Sequence, residues 1–242
     1  MTDTVRGLRV DLAAAYRLAV MHGFHEGICN HFTAAPPGQD DRFLVIPYGM
    51  HWSEVTASNL IVADGRGATI EGDGRVEATA LFIHGPVHRA RPDAACVLHT
   101  HMPFATALTS LADGRLPMAT QNAFGFHGRV AYDDDYGGLA LDDAEGDRLA
   151  RALGDRDVLM MANHGVLAVG RTVADAYDML YYLERACQVT VLALSTGRPL
   201  KVLPERQVAA VAAQMQAGGH DRATHFNALK RLLDRTQPEY VN

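Results

Sequence analysis

Residues 95–101, Ala-Cys-Val-Leu-His-Thr-His, constrain this chain more than any other stretch. An apolar run leads straight into a histidine pair, so the segment reads as a buried strand that ends at the rim of a core. Side chains alternate faces along a strand. His99 and His101 therefore point the same way while Thr100 points away. Two imidazoles side by side on a rigid edge are half of a first-row metal site.

The remaining segments supply the frame. Leu8, Leu12, Ala15, Tyr16 and Ala19 have helical spacing, which predicts a helix over 8–22 closed by Gly23. A short strand over 26–34 and a turn at 36–40 predict a hairpin with the next strand, 43–46, which breaks at Pro47-Tyr48-Gly49. A strand follows the turn at 56–59 and closes on Asp64-Gly65, and Gly65/Gly67 and Gly72/Gly74 are two further hairpin signals. Residues 79–91 carry a helical pattern in which Pro86 predicts either a kink or an early stop. After the histidine pair come a short helix over 102–108, an irregular or strand-like stretch over 117–132, and an acidic, aromatic loop over 132–138. Asp142 and Glu145 have capping-box spacing at the head of a helix that ends at Gly154. Two apolar runs flank Asn163-His164-Gly165 as strand, tight turn, strand, and 172–196 is the longest helix. The sum is an α/β fold with a mixed, mostly antiparallel sheet covered on both sides by helices. One domain over 1–242 is expected, with a helical tail from about residue 204.

Composition excludes several functions. The net charge is −6, and lysine occurs only at Lys201 and Lys230, so no clustered basic face for nucleic acid is expected. No apolar run approaches the roughly 20 residues of a membrane span, and residues 1–11 lack the apolar core of a signal peptide. Cys29, Cys96 and Cys187 are odd in number and lie in apolar surroundings, which predicts buried free thiols and a cytoplasmic setting.

The chemistry rests on the histidines, of which there are 12. A His-x-His pair is also common for ordinary reasons. Here it emerges from apolar Val97-Leu98, and a third histidine, His164, stands at another strand end. Three neutral imidazoles leave one or two coordination positions open, as a catalytic metal site requires, and no Cys-x-x-Cys pair suggests a structural one.

The order Gly27-x-x-Asn30, Ile46-Pro47-Tyr48-Gly49, Arg91-Pro92-Asp93, Val97-Leu98-His99-Thr100-His101 and Asn163-His164-Gly165-Val166-Leu167 resembles the class II aldolase/adducin family over about residues 8 to 200. The resemblance implies that His99, His101 and His164 hold a divalent ion, zinc first and manganese second. It implies a three-layer α/β/α fold, a homotetramer with sites between neighbouring subunits, and a small-molecule substrate. Asn30, Tyr48, Gly49 and Thr79 fall where the family binds substrate.

Two departures shape the functional reading. The family's sugar-phosphate aldolases carry an acid/base glutamate eleven residues before the arginine of Arg-Pro-Asp, and here that place is Ala80. Glu77, three residues earlier, is the one substitute. A tyrosine, Tyr48, replaces the hydroxyl residue of the family's phosphate turn, which points to an unphosphorylated substrate, rings included. Decarboxylation needs a proton donor rather than a base, so it tolerates the missing glutamate better than aldol cleavage does. The expectation is a metal-dependent carbon–carbon lyase, a decarboxylase of a small hydroxylated carboxylic acid, with Tyr136, His84 or a metal-bound water as proton donor. The alternatives are a retro-aldolase or epimerase on a sugar or sugar phosphate with Glu77 as base, and a non-catalytic adducin-like interaction module.

Overall fold

A computed structural model describes residues 5–39, 41–219 and 221–242. In chain order the elements are α1 (Val5–His22), β1 (His31–Ala34), β2 (Arg42–Val45), β3 (Ile61–Asp64), β4 (Thr69–Glu71), α2 (Ala78–Ala90), β5 (Cys96–Thr100) and α3 (Pro103–Thr109). They continue as α4 (Gln121–Phe124), β6 (Val130–Asp133), α5 (Asp143–Leu153), β7 (Val158–Met161), β8 (Gly165–Gly170), α6 (Val173–Leu194), α7 (Glu205–Ala217) and α8 (Arg222–Thr236).

The strands form one sheet in the order β4-β3-β2-β1-β5-β8-β7-β6. Every pairing is antiparallel except β6 with β7, which is parallel. The histidine strand β5 is central, with β1 on one side and β8 on the other. Alternation along the strands builds two cores. Cys96, Leu98, Val166, Ala168 and Met160 pack with α1 and α6, whereas Val97, Leu167, Val169, Leu159 and Met161 pack with Ile83 and Val87 of α2 and Leu149 and Leu153 of α5. These are the three layers that the strand and helix patterns predict. No helix among the described residues is long and apolar enough to cross a membrane.

Four sequence expectations change. Pro86 does not end the helix early, because α2 runs on through it to Ala90. Proline removes the N–H that the Phe82 carbonyl would receive, and that carbonyl instead faces Gly146 of α5, where a Cβ would lie 2.1 Å from it. Residues 117–132 hold the short helix α4 and the start of β6, since Thr120 caps the N–H of Ala123. Gly65 and Gly67 make the β3–β4 hairpin, but Gly72 and Gly74 lead into the N-cap of α2 rather than to a strand. Cys96 and Cys187 are buried free thiols as expected; Cys29 is exposed, because it follows the tight turn at Gly27 instead of lying in β1.

Candidate metal centre

Strand register brings the site together. His99 of β5 lies opposite His31 of β1 and Leu167 of β8, and His101 lies just past the end of β5. His164 sits in the turn between β7 and β8, where Asn163 takes the left-handed conformation at φ 56° that asparagine tolerates better than most residues. One ligand atom from each of His99, His101 and His164 lies within 4.8 Å of the others. Gly165 makes this approach possible, since a Cβ there would stand 2.7 Å from His101 Cδ2 and 2.8 Å from the Thr100 carbonyl.

The ring nitrogens are assigned by their partners. His99 Nδ1 is 3.0 Å from the Val166 carbonyl, which leaves Nε2 for the cluster. His101 Nδ1 is 2.6 Å from Glu26 Oε2, and its buried Nε2 has no hydrogen-bond partner. An orphaned, buried nitrogen aimed among two other imidazoles is what a metal ligand looks like before the ion is considered. Burial, with the neighbouring His164 and His31 adding to it, holds the proton affinity of His99 well below the usual histidine range. Burial and then the charge of His101 lower His164 to about 4. Neutral imidazoles are the ligating form, so the donor set fits a divalent ion of the zinc or manganese kind.

Asn30, in the left-handed region at φ 68°, turns its Oδ1 to accept the His101 backbone N–H at 3.1 Å. Tyr48 and Gly49 lie at the same end of the sheet, beyond β2, and the Arg75 guanidinium sits 4.2 Å over the Tyr48 ring. The Tyr136 ring is 6.1 Å from that of His164 and half exposed. Thr79 has its hydroxyl engaged by Glu77 and His31. His84 is fully buried behind His31 and bonded to His31 and Thr33.

Glu77 is the N-cap of α2. The helix begins at Ala78, one residue before the sequence pattern suggests, and the Glu77 carboxylate folds back to accept the Ala80 N–H at 3.0 Å. A carboxylate from position 77 is therefore held against the backbone of the buried Ala80, 3.7 Å from His31 Nε2. The His31 ring is 5.3 Å from that of His99.

Sequence reasoning missed Glu26 and His31. His31 directly follows the quoted Asn30, and its strand-mate position to His99 was the signal that could have found it. Glu26 lies in a turn closed by Gly27, where no spacing rule reaches. A carboxylate that holds a ligating imidazole raises its basicity and fixes its ring, and losing such a partner costs about 10–100-fold in metal affinity. Glu26→Gln is expected to weaken binding of zinc by that factor in competition with a chelator. Because the Glu26 side chain is 58% exposed, the fold should be unchanged. An unaltered affinity would show that Glu26 does not support the ligand.

A family model described as Class II Aldolase and Adducin N-terminal domain matches residues 10–191. A solved structure of an aldolase II superfamily protein from Pseudomonas syringae is 38% identical, with a TM-score of 0.93 over 100% of this chain and 98% of the other. The L-fuculose 1-phosphate aldolase from Glaciozyma antarctica PI12 is 29% identical, with a TM-score of 0.85 over 99% of this chain and 95% of the other. Decarboxylase NovR of Streptomyces niveus is 34% identical over 209 residues, covering 84% of this chain and 77% of the other.

Proposed function

The chain belongs to the class II aldolase/adducin family, and from that premise we propose that it is a divalent-metal-dependent carbon–carbon lyase that removes CO2 from a small hydroxylated carboxylic acid, aromatic acids included. The observation that carries this reading is the three-histidine cluster, with the unpartnered Nε2 of His101 inside it. His99, His101 and His164 would hold the ion, zinc before manganese. When bound, the ion supplies a Lewis acid against the negative charge that develops on the substrate.

The residues at this end of the sheet suit an acidic, unphosphorylated substrate. Tyr48 fills the family's phosphate turn, and Arg75 stacked on its ring offers a cation to a carboxylate. Asn30 holds His101 in place through the backbone, so its remaining amide donors are what it can offer a ligand. The likeness to decarboxylase NovR supports loss of CO2 over other cleavages.

The test is direct. Metal-loaded protein is expected to release CO2 from at least one of a panel of hydroxylated aromatic and 2-hydroxy acids. His101→Ala should reduce that rate by at least about 10³-fold, as removal of a central catalytic group does. No CO2 from any acid of the panel would end this reading.

The position of Glu77 favours a second reading. A carboxylate near His31 could act as the base of a retro-aldolase or epimerase on a sugar or sugar phosphate, as the likeness to an L-fuculose 1-phosphate aldolase suggests. Turnover of a ketose phosphate that disappears in Glu77→Gln would select it.

A further inference from the structure

The sheet has a second end with a different chemistry. Strands β5, β8, β7 and β6 stand side by side. At the end away from the three histidines, Cys96 pairs with Gly170 and Val130 with Val158. Arg91-Pro92-Asp93 leads into β5 there, Arg129 precedes β6, Asp157 precedes β7 and Arg171 follows β8. The histidine cluster lies about 20 Å away along β5, at roughly 3.3 Å of rise per residue.

A cavity of about 270 Å³ opens at this end, lined by four arginines and three aspartates. The arginines are not equivalent. Arg91 is fully engaged: its Nε and Nη2 donate to the Asp93 carboxylate at 2.8 Å each, and its Nη1 donates to the Gly154 and Arg156 carbonyls at 2.9 and 2.7 Å. It is a strut of the wall, and it cancels the charge of Asp93. Arg129 spends only its Nε, on Asp157 Oδ2 at 2.6 Å, and its terminal nitrogens have no protein acceptor among the described residues. Arg222 comes no closer than 3.8 Å to Asp175 and Asp178, beyond hydrogen-bond reach. Arg171 is exposed and has no ion pair among the described residues. Four positive charges thus face three negative ones, and most of the N–H groups of three arginines remain unspent. The side chains of Arg129 and Arg222 are only 22% and 25% exposed, so these donors line the cavity rather than reach out into bulk water.

We propose that this cavity binds the phosphoryl group of a small phosphorylated metabolite on Arg129, Arg171 and Arg222, as a site apart from the metal centre. One guanidinium fork satisfies a planar carboxylate. A tetrahedral phosphate dianion presents oxygens in several directions and takes donors from three segments at once. Here the three segments are the lead into β6, the link from β8 to α6 and the first residue of α8. Arg171 directly precedes Thr172, the N-cap of the 22-residue helix α6, so the positive end of that helix adds to the same field.

The ligand is larger than a bare phosphate ion. At about 30 Å³ per water the cavity has room for on the order of nine waters. Beyond the arginines its walls offer the carboxylates of Asp157 and Asp175, which accept hydrogen bonds and so suit hydroxyl groups. The ligand class is therefore a hydroxylated phosphate ester. It is not the substrate of the metal centre, and the site stands whether or not the protein releases CO2.

Calorimetric titration of the metal-loaded protein with glycerol 3-phosphate tests the site. One saturable site per chain is expected. It should persist in His101→Ala or, should that variant not fold, in chelator-treated wild type, because neither change touches this end of the sheet. Arg171→Gln breaks no ion pair among the described residues and should weaken binding at least about tenfold, as loss of a charge-assisted hydrogen bond does. Arg129→Gln should do the same; if it does not fold, Arg171→Gln decides alone. Lys201→Gln, outside the cavity, should leave the affinity unchanged. Acetate should bind far more weakly than the phosphate ester. Absence of saturable heat at millimolar ligand, binding that vanishes with the metal, an affinity unchanged in Arg171→Gln, or acetate bound as tightly as glycerol 3-phosphate would each overturn the proposal.

Discussion

Held in chelator so that no metal contributes, the protein should lose stability steeply between pH 6.5 and about 4. Burial lowers His88 to about 4 and His84 well below its ordinary 6.5. The half-buried His22, bonded to the Tyr177 hydroxyl at 2.8 Å, is likewise lowered to about 4 by burial, then by Arg185. Each of these folded-state values lies below that of the unfolded chain. Their stabilisation is therefore fully present above pH 6.5 and is lost as pH falls through the folded values, because the unfolded chain takes up protons that the native state refuses. One group costs about 1.4 kcal/mol per pH unit in that window. At pH 5 that is about 2 kcal/mol for His88; His84 adds to it in the same direction, and His22 adds less because water screens it. Losses of this size are a large part of the 5–15 kcal/mol on which a typical domain stands. Urea melts at pH 7, 6 and 5 measure it, and a midpoint that stays constant across this range would mean that these imidazoles are not buried as neutral groups.

Gly146→Ala should destabilise the protein by about 3 kcal/mol, near the top of the range for overpacking. Intrinsic helix propensity forecasts the opposite, a gain of about 1 kcal/mol for replacing a glycine within a helix. Packing decides the sign. A Cβ at 146 would stand 2.1 Å from the Phe82 carbonyl and 2.7 Å from Pro86 Cγ. Backbone cannot yield as the tip of a flexible side chain can, so α5 must move off α2 and loosen the contacts of Ile83, Val87, Leu149 and Leu153. For a chain of this size the change lowers the melting temperature by about 6–12 °C in calorimetry. A higher melting temperature would show that the two helices do not meet at this glycine.

The same pair of residues shows where sequence reading stops. Pro86 is visible as a breaker, and the rule that proline ends helices is sound for a helix in water. What it cannot see is a second helix whose glycine faces the carbonyl that the proline frees. Glu77 is similar. Counting back from Arg91 finds Ala80 and no carboxylate, yet an N-cap side chain folds back by three residues onto the Ala80 N–H. The histidine strand was legible because a period of two is a local property: His99 faces α2 with Val97, as alternation requires, and Leu98 faces the other core. The three-layer fold follows from the same periodicities. His31 and Glu26 were not legible, because their significance lies in the register between β1 and β5 and in a turn, neither of which leaves a pattern within a single segment.

The support of His101 has a kinetic meaning. Its backbone N–H is bound by Asn30, 71 residues earlier, and its ring by Glu26, 75 residues earlier, while Gly165 closes on it from β8. Contacts so distant in sequence close large loops and form late in folding. The cluster is thus completed only when β1, β5 and β8 are all in register, so a metal that binds it has little to grip in the folding transition state. Such an ion leaves the rate of folding nearly untouched and slows unfolding. Metal occupancy would then set the lifetime of the native sheet rather than the speed with which it is reached.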